Sequence, residues 1–145
     1  MVFDQVNLIV PDMDATLAFY ETVGLSIDDA PPWPPGTDAR HVDVSMPNGV
    51  RLEFDNIEMA AIYAPGLGGA SGALFGFSLP SRDAVDEKYK ELEAAGHAGR
   101  QAPYDAFWGA RYAIVTDPAG NNLGLMSPID PERKYVPKPG VLGPP

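Results

Sequence analysis

The sequence predicts an α+β fold built from two tandem βαβββ modules. Three observations carry that prediction. First, the chain repeats itself. Pro11, Asp14, Tyr20 and Val23 recur 69 residues later as Pro80, Asp83, Tyr89 and Leu92. Pro47, Gly49, Leu52 and Phe54 recur 71 residues later as Pro118, Gly120, Leu123 and Leu125. Two segments that repeat in the same order at nearly one offset describe two copies of one structural unit. Second, the apolar period switches between strand-like alternation and a helical stripe within each copy. Third, proline and glycine crowd into a few stretches and leave the rest free to form regular elements.

The elements follow in order. "QVNLIV" alternates at its start and reads as a strand. Asp12 offers a helix N-cap, and Met13, Leu17 and Tyr20 share one face with Val23 at its edge. Gly24 suits the helix stop, because a left-handed residue closes a helix best without a side chain. "RHVDVSM" and "VRLEFD" alternate again across the turn Pro47-Asn48-Gly49. In the second copy "LFGFSLP" is the strand, and Ser81 caps a helix with Asp83, Asp86 and Glu87 in its first turns. Its apolar stripe is Val85, Tyr89 and Leu92, and it ends at Gly96. "ARYAIVT" and "NNLGLM" make the closing hairpin around "DPAGN". One further strand per module is expected, near Leu25–Asp29 and near His97–Ala102. "DDAPPWPPGTD" is a proline-rich loop that carries Trp33, and Gly66 to Leu74 reads as a flexible linker. From Ser127 the chain has too much proline for an element. The expected organisation is one domain over residues 1–128, with modules of about 1–66 and 73–128, and an arm over 129–145.

Composition narrows the function classes. The 145 residues are 45% hydrophobic, enough for a core of their own. Cysteine is absent, which excludes thiolate metal sites, disulfides and a cysteine nucleophile. The formal charge is −10, and residues 1–72 carry 11 acids against two bases. Such a surface repels nucleic acid and anionic lipid and serves solubility or a cationic ligand. No stretch approaches the ~20 apolar residues that span a bilayer, and the N-terminus lacks a signal-peptide pattern. A cytoplasmic protein with no nucleic-acid or membrane partner is the expectation. There is no Gly-x-Ser-x-Gly elbow, phosphate loop or Gly-x-Gly-x-x-Gly fingerprint.

Paired βαβββ modules, the opening "FDQVNLIVPDMDATLAFYETVGL", the strand "GVRLEFD" and the closing "DPAGNNLGL" together resemble the vicinal oxygen chelate group. That group includes glyoxalases, ring-cleaving dioxygenases, epimerases, and bleomycin- and mitomycin-binding resistance proteins. The resemblance covers roughly residues 3–128. It implies a curved mixed sheet that curls around a cleft, with helices outside. It also implies four metal-ligand positions, one on the first and one on the last strand of each module. These match Gln5, Glu53, Leu74 and Gly124. The first two can bind a metal and the last two cannot. Two ligands hold a divalent ion poorly, so no cofactor is the first expectation. A divalent ion on Gln5, Glu53 and His41 is the alternative. What Gly124 does supply is room for a close approach by an apolar or planar group.

Strand alternation assigns the cleft face. With the Pro47–Gly49 turn central, Asp43 pairs opposite Glu53, and Gln5, Asn7, His41, Asp43, Ser45, Arg51 and Glu53 face the cleft. The matching face of the second module reads Leu74, Gly76, Ser78, Tyr112, Ile114, Gly124 and Met126. Phe107, Trp108 and Trp33 lie in loops that could stack on a flat ligand, although Trp108 suits a core equally well. Glu53 and Asp43 suit a solvated sheet face as well as a binding wall, and His41 suits a surface position as well as a site. Arg111 falls on the outer face, as an ion-pair partner. His97 follows a helix stop and reads as a loop residue.

Two functions fit. One is a metal-free protein that binds an amphipathic aromatic compound through Gln5, Asn7, Trp33, His41, Asp43, Glu53, Leu74, Phe107, Trp108, Tyr112 and Gly124. The other is an enzyme of lyase, isomerase or dioxygenase type. Its Glu53 and His41 would act as acid and base, or with Gln5 hold a metal. A homodimer is expected, because each module alone exposes sheet edges and the arm is long enough to reach a neighbour.

Overall fold

The computed structural model describes residues 1–138 and 140–145. Seven strands form one mixed sheet: β1 (Val2–Val10), β2 (His41–Ser45), β3 (Arg51–Asn56), β4 (Gly72–Ser78), β5 (Gly99–Asp105), β6 (Arg111–Thr116) and β7 (Asn122–Met126). Their spatial order is β2-β3-β1-β4-β7-β6-β5. β1 runs parallel to β3, and β4 runs parallel to β7. The halves join where β1 and β4 pair antiparallel. The sheet is therefore two related pieces, of three and four strands, and the cleft it curves around forms within one polypeptide.

Three helices cover it. α1 (Met13–Val23) starts where the Asp12 side chain accepts from the Ala15 backbone N–H, and stops at Gly24 with φ 114°. It lays Met13 and Leu17 on Val42, Val44 and Phe54. α3 (Arg82–Ala94) starts at the Ser81 cap and lays Val85 and Tyr89 on Ala113, Val115 and Leu125. Those are the outer-face residues of β2, β3, β6 and β7, so alternation sends their neighbours into the cleft. Arg111 bonds Asp86 on α3 and Asp105 on β5, both at 2.8 Å, on the outer side as expected.

The first module differs from expectation. The strand expected near Leu25–Asp29 does not form; the chain from Leu25 to Arg40 is irregular. Four prolines at 31, 32, 34 and 35 follow directly and remove ladder donors. Arg40 holds the segment instead, with Asp29 at 2.7 Å and Asp14 of α1 at 2.6 Å. After β3 the chain forms a third helix that the reading missed, α2 (Ile57–Tyr63), capped by the Asn56 side chain on the Met59 N–H. α2 packs Met59, Ala60 and Tyr63 against Leu74, Tyr104, Tyr112 and Ile114, so it sits on the cleft face at the seam of the two halves.

The expected linker is also corrected. Pro65–Leu67 is a single turn of 3-10 helix with Leu67 buried. A Cβ on Gly66 would stand 1.9 Å from the carbonyl oxygen of Arg100 on β5, so this segment is packed down rather than free. β5 starts two residues later than expected and runs further, to Asp105. Its register shifts at Gly99/Gln101 and Gln101/Tyr104, in keeping with Pro103 on an edge strand. The C-terminal arm folds back on its own chain: Asp130 N–H donates to Gly109 O at 3.1 Å and Tyr135 N–H to Phe107 O at 3.0 Å. Among the described residues no helix is long and apolar enough to cross a membrane.

Candidate functional site

A cavity of about 380 Å³ opens on the concave face. Its first wall is Gln5 and Asn7 from β1, His41 and Asp43 from β2, and Arg51, Glu53 and Asp55 from β3. Register explains the grouping. Asn7 lies beside Glu53, Asp43 lies opposite Glu53, and His41 lies opposite Asp55. Its second wall is Met59 and Tyr63 of α2, Tyr112 of β6 and Met126 of β7. Trp33, with Ala30 and Pro31, lines it from the long loop, and the Trp33 ring meets Phe107, which lines it together with Trp108 and Ile129.

The polar wall contains two hydrogen-bonded groups. In the first, Gln5 Nε2 donates to Glu53 Oε2 at 2.6 Å, and the Arg51 guanidinium donates to Gln5 Oε1 at 2.6 Å. The same guanidinium lies 3.2 Å from Glu53 Oε1. In the second, Asp55 is 1% exposed and accepts three hydrogen bonds. Its donors are His41 Nδ1 at 2.7 Å, Asn7 Nδ2 at 2.6 Å and the Tyr63 hydroxyl at 2.8 Å. The Asp55 oxygens require donors, which fixes the Asn7 amide orientation and puts the proton on His41 Nδ1. Asn7 Oδ1 is then a buried acceptor without a partner, and Trp108 Nε1 is a buried donor without one.

Burial and charge set the protonation of this wall. Removal from water pushes the Glu53 carboxyl up to about 7, against the opposing pull of His41 and Arg51, and with support from Asp55 and Asp43. Burial lowers His41, but the hydrogen bond and charge of Asp55, with Glu53 and Asp43 nearby, outweigh it and leave the imidazole above its ordinary value. Burial raises the Tyr112 phenol well above its usual range, so it stays neutral and keeps its proton to donate.

The structure brings most of the sequence-predicted residues to one cavity, with specific exceptions. Gln5, Asn7, Trp33, His41, Asp43, Arg51, Glu53, Phe107, Trp108, Tyr112 and Met126 line it. Leu74 does not; it is 2% exposed and belongs to the core beneath. Gly124 does not either. A Cβ there would stand 2.6 Å from the Tyr112 hydroxyl and 3.0 Å from Leu74 Cδ2, so the glycine makes room for the tyrosine ring rather than for a ligand. Gly76 likewise admits Gln5, whose Cβ would lie 2.8 Å from one added at 76. Ser45 is exposed on the edge strand and Ile114 is fully buried. The Ser78 hydroxyl donates to Asp4 at 2.6 Å. His97 lies in the loop after α3, away from the cavity. Sequence reading missed Asp55, Met59 and Tyr63. Asp55 was findable, since it follows Glu53 by two residues on the same strand. Met59 and Tyr63 needed α2, whose signal was the Asn56 cap followed by apolar residues three and four apart.

The residues at the metal-ligand positions do not fit a divalent ion. Gln5 and Glu53 already share the Arg51 cation, and Tyr112 fills the space above Gly124 opposite them. His41 presents Nδ1 to Asp55. Among the described residues no group of three His, Asp or Glu side chains is placed to hold a metal.

Comparison with known proteins agrees with this geometry. The family model for the Glyoxalase/Bleomycin resistance protein/Dioxygenase superfamily matches residues 2–125. The uncharacterized protein PA2024 of Pseudomonas aeruginosa is 33% identical over 90% of this chain and 92% of its own. Among solved structures, one described as an NAD-dependent benzaldehyde dehydrogenase from Legionella pneumophila superposes with a TM-score of 0.59. It is 21% identical and covers 85% of this chain and 96% of its own. A superfamily member from Vibrio splendidus superposes with a TM-score of 0.54 at 15% identity, over 85% of this chain and 96% of its own. At those identities the two structures speak to the fold alone.

Proposed function

Because the chain belongs to the glyoxalase/bleomycin resistance protein/dioxygenase superfamily, we propose that it binds a small amphipathic aromatic compound in the cavity between its modules, without a metal. The observation that carries this reading is the contrast between the walls. Glu53 and Asp43 line one space together with Trp108, Tyr112 and Met126. A flat ring stacks on the aromatic side, and a donor or cationic group on that ring meets the acidic side. Stacking contributes roughly 0.5–1.5 kcal/mol beyond area burial, and a hydrogen bond to a charged group about 1.5–3 kcal/mol.

The test is a tryptophan-fluorescence screen of planar compounds, followed by calorimetry. A hit should quench Trp108 or Trp33. Glu53→Gln should weaken a cationic hit about tenfold, the equivalent of about 1.4 kcal/mol. Since Glu53 ionises near 7, cation affinity should rise as pH passes that point. Trp108→Ala should weaken cationic and neutral rings alike. Hits that leave tryptophan emission unchanged and ignore Glu53→Gln would overturn the reading.

A second reading is favoured by one specific arrangement, the Asp55–His41 pair beside Glu53. Asp55 fixes the His41 tautomer and leaves Nε2 free to take a proton, while Glu53 can give or accept one near neutral pH. In this reading the protein is a metal-free acid–base enzyme, an isomerase or lyase acting on a carbon acid. Its signature is exchange of a carbon-bound hydrogen of a bound ligand with deuterated solvent, lost in Glu53→Gln. Tight binding with no exchange favours the binding protein.

A further inference from the structure

Beyond the inner cavity, the same aromatic residues line a second space. An open groove of about 430 Å³ is bounded by Trp33, Phe107, Trp108, Lys134, Tyr135 and Val136. The first three also line the inner cavity. Trp33 and Phe107 meet at a centroid distance of 5.2 Å, and Phe107 and Trp108 at 4.9 Å, so the two spaces adjoin along one aromatic cluster that lines both. The groove's other side is the C-terminal arm, and the arm is fixed. The Tyr135 hydroxyl donates to Asp105 O at 2.7 Å, and its N–H to Phe107 O at 3.0 Å. Gly109, at φ 93°, lets the arm in: a Cβ there would stand 2.1 Å from Asp130 O and 3.4 Å from Lys134 Cγ. The stem of Lys134 thus lies against the Gly109 turn, next to Trp108.

Charge distinguishes the two ends. The inner end has three carboxyl groups against the Arg51 guanidinium and the His41 imidazole, and the unpartnered, buried acceptor Asn7 Oδ1. Among the described residues, Lys134 is the one charged side chain lining the outer end. It makes no ion pair among the described residues, and the nearby Asp130 is engaged by Arg133 at 3.1 Å. An unpaired ammonium beside an aromatic groove is a local place for an anion, set against a formal charge of −10 over the whole chain.

We propose that cavity and groove are one elongated site, in which Lys134 receives an anionic group at the far end of an aromatic ligand whose near end donates to Asn7 and Glu53. The inference rests on the aromatic-binding reading and adds the ligand's length and polarity: a donor at one end, a carboxylate or sulfonate at the other. The arm is then part of the binding site.

Two dyes of one skeleton test it. 2-Anilinonaphthalene-6-sulfonate carries the anion at the end of the naphthalene opposite its N–H, and N-phenyl-2-naphthylamine lacks it. The wild-type protein should bind one sulfonate dye per chain, more tightly than the neutral dye. Lys134→Met keeps the stem and removes the charge. It should weaken the sulfonate dye by roughly fivefold, the upper range for an exposed ion pair, and leave the neutral dye unchanged. Lys138→Met, elsewhere on the arm, should change neither. Indifference of the sulfonate dye to Lys134→Met, an equal loss for both dyes, or two dyes per chain would overturn the elongated site while leaving aromatic binding intact. If the wild-type protein binds neither dye, aromatic binding falls and this proposal falls with it.

Discussion

On β3 the cavity receives Arg51, Glu53 and Asp55; on β7 the equivalent places hold Asn122, Gly124 and Met126. On β1 it receives Gln5 and Asn7, where β4 has Leu74 and Gly76. The backbones are matched, with a parallel pair in each half and a helix on each outer face. Beyond α2, which only the first half has, and β5, which only the second has, the halves differ in their inward side chains. The first half pairs its buried polar groups with one another, Asn7 Oδ1 excepted: Gln5, Arg51 and Glu53 in one group, and Asn7, His41, Tyr63 and Asp55 in the other. The second half has no polar network to complete and closes up with the rings of Tyr104 and Tyr112 around Ile114. A duplicated scaffold can thus keep its geometry while one wall is specialised for hydrogen bonding and the other for packing.

The sharpest way to break this contrast is to remove the centre of the polar network. Asp55→Ala leaves His41 Nδ1 and the Tyr63 hydroxyl without their acceptor, and Asn7 Nδ2 with only the Tyr63 oxygen at 3.2 Å. Each orphaned buried donor costs about 1–3 kcal/mol, and His41 is open to water, so the expected loss is about 3 kcal/mol or more. Urea unfolding measures it. A loss under about 1 kcal/mol would mean that water enters and replaces Asp55.

The polar wall should also dominate the pH dependence of stability. Glu53 titrates near 7 in the folded chain against an ordinary value of 4.5. Between those values the folded state holds a proton that the unfolded chain has released, so stability falls as pH rises through the window. The full effect is up to about 3 kcal/mol at about 1.4 kcal/mol per pH unit. His41, raised above 6.5, acts in the same direction: its contribution is present below 6.5 and is lost as pH passes the folded value. Melting temperature should decline from pH 5 towards pH 8, and Glu53→Gln should flatten most of the slope. A wild-type profile that rises over that range would show that Glu53 is solvated.

The packed wall makes its own prediction. Gly124→Ala forces Tyr112 and Leu74 to move, because the new Cβ would lie 2.6 Å from the phenol oxygen. Overpacking of this kind costs typically 1–3 kcal/mol, or about 2–4 °C in melting temperature per kcal/mol for a domain this size. Removing the hydroxyl with Tyr112→Phe should recover part of that loss, as coupled neighbours do. Strict additivity of the two changes would place the conflict elsewhere.

How far the sequence carried the reading follows from the same contrast. Strand alternation with a central turn put Asp43 opposite Glu53, as the sheet has it. The repeat offset matched Gly124 to Glu53. Both are local or periodic facts, and periodicity is what a sequence displays. The role of Gly124 was not legible, because it depends on where the Tyr112 ring lands after β6 and β7 pair. α2 was missed because its seven residues are too few for a strong periodic signal. The strand expected at Leu25–Asp29 was extrapolated from the second module, whereas the prolines after it left the Arg40 ion pairs to hold that segment.

The smallest expected effect concerns metal, and a null result there carries information. If the polar wall were a metal site missing its ion, Gln5 and Glu53 would be poised as free ligands. Instead one guanidinium already spans them, 2.6 Å from Gln5 Oε1 and 3.2 Å from Glu53 Oε1. A divalent ion would have to displace Arg51 and accept two ligands from the protein, with Leu74 and Gly124 offering none. Structural and catalytic sites usually need three or four. Protein purified without chelator should therefore carry well under one equivalent of Zn, Ni, Mn or Fe by elemental analysis, and added chelator should leave the melting temperature unchanged. Arg51→Ala sharpens the point. It clears the cation yet still supplies only two ligands, so it should not gain stoichiometric metal. One tightly held ion per wild-type chain would mean that Arg51 swings away, and would move the chemistry of this wall from hydrogen bonding to coordination.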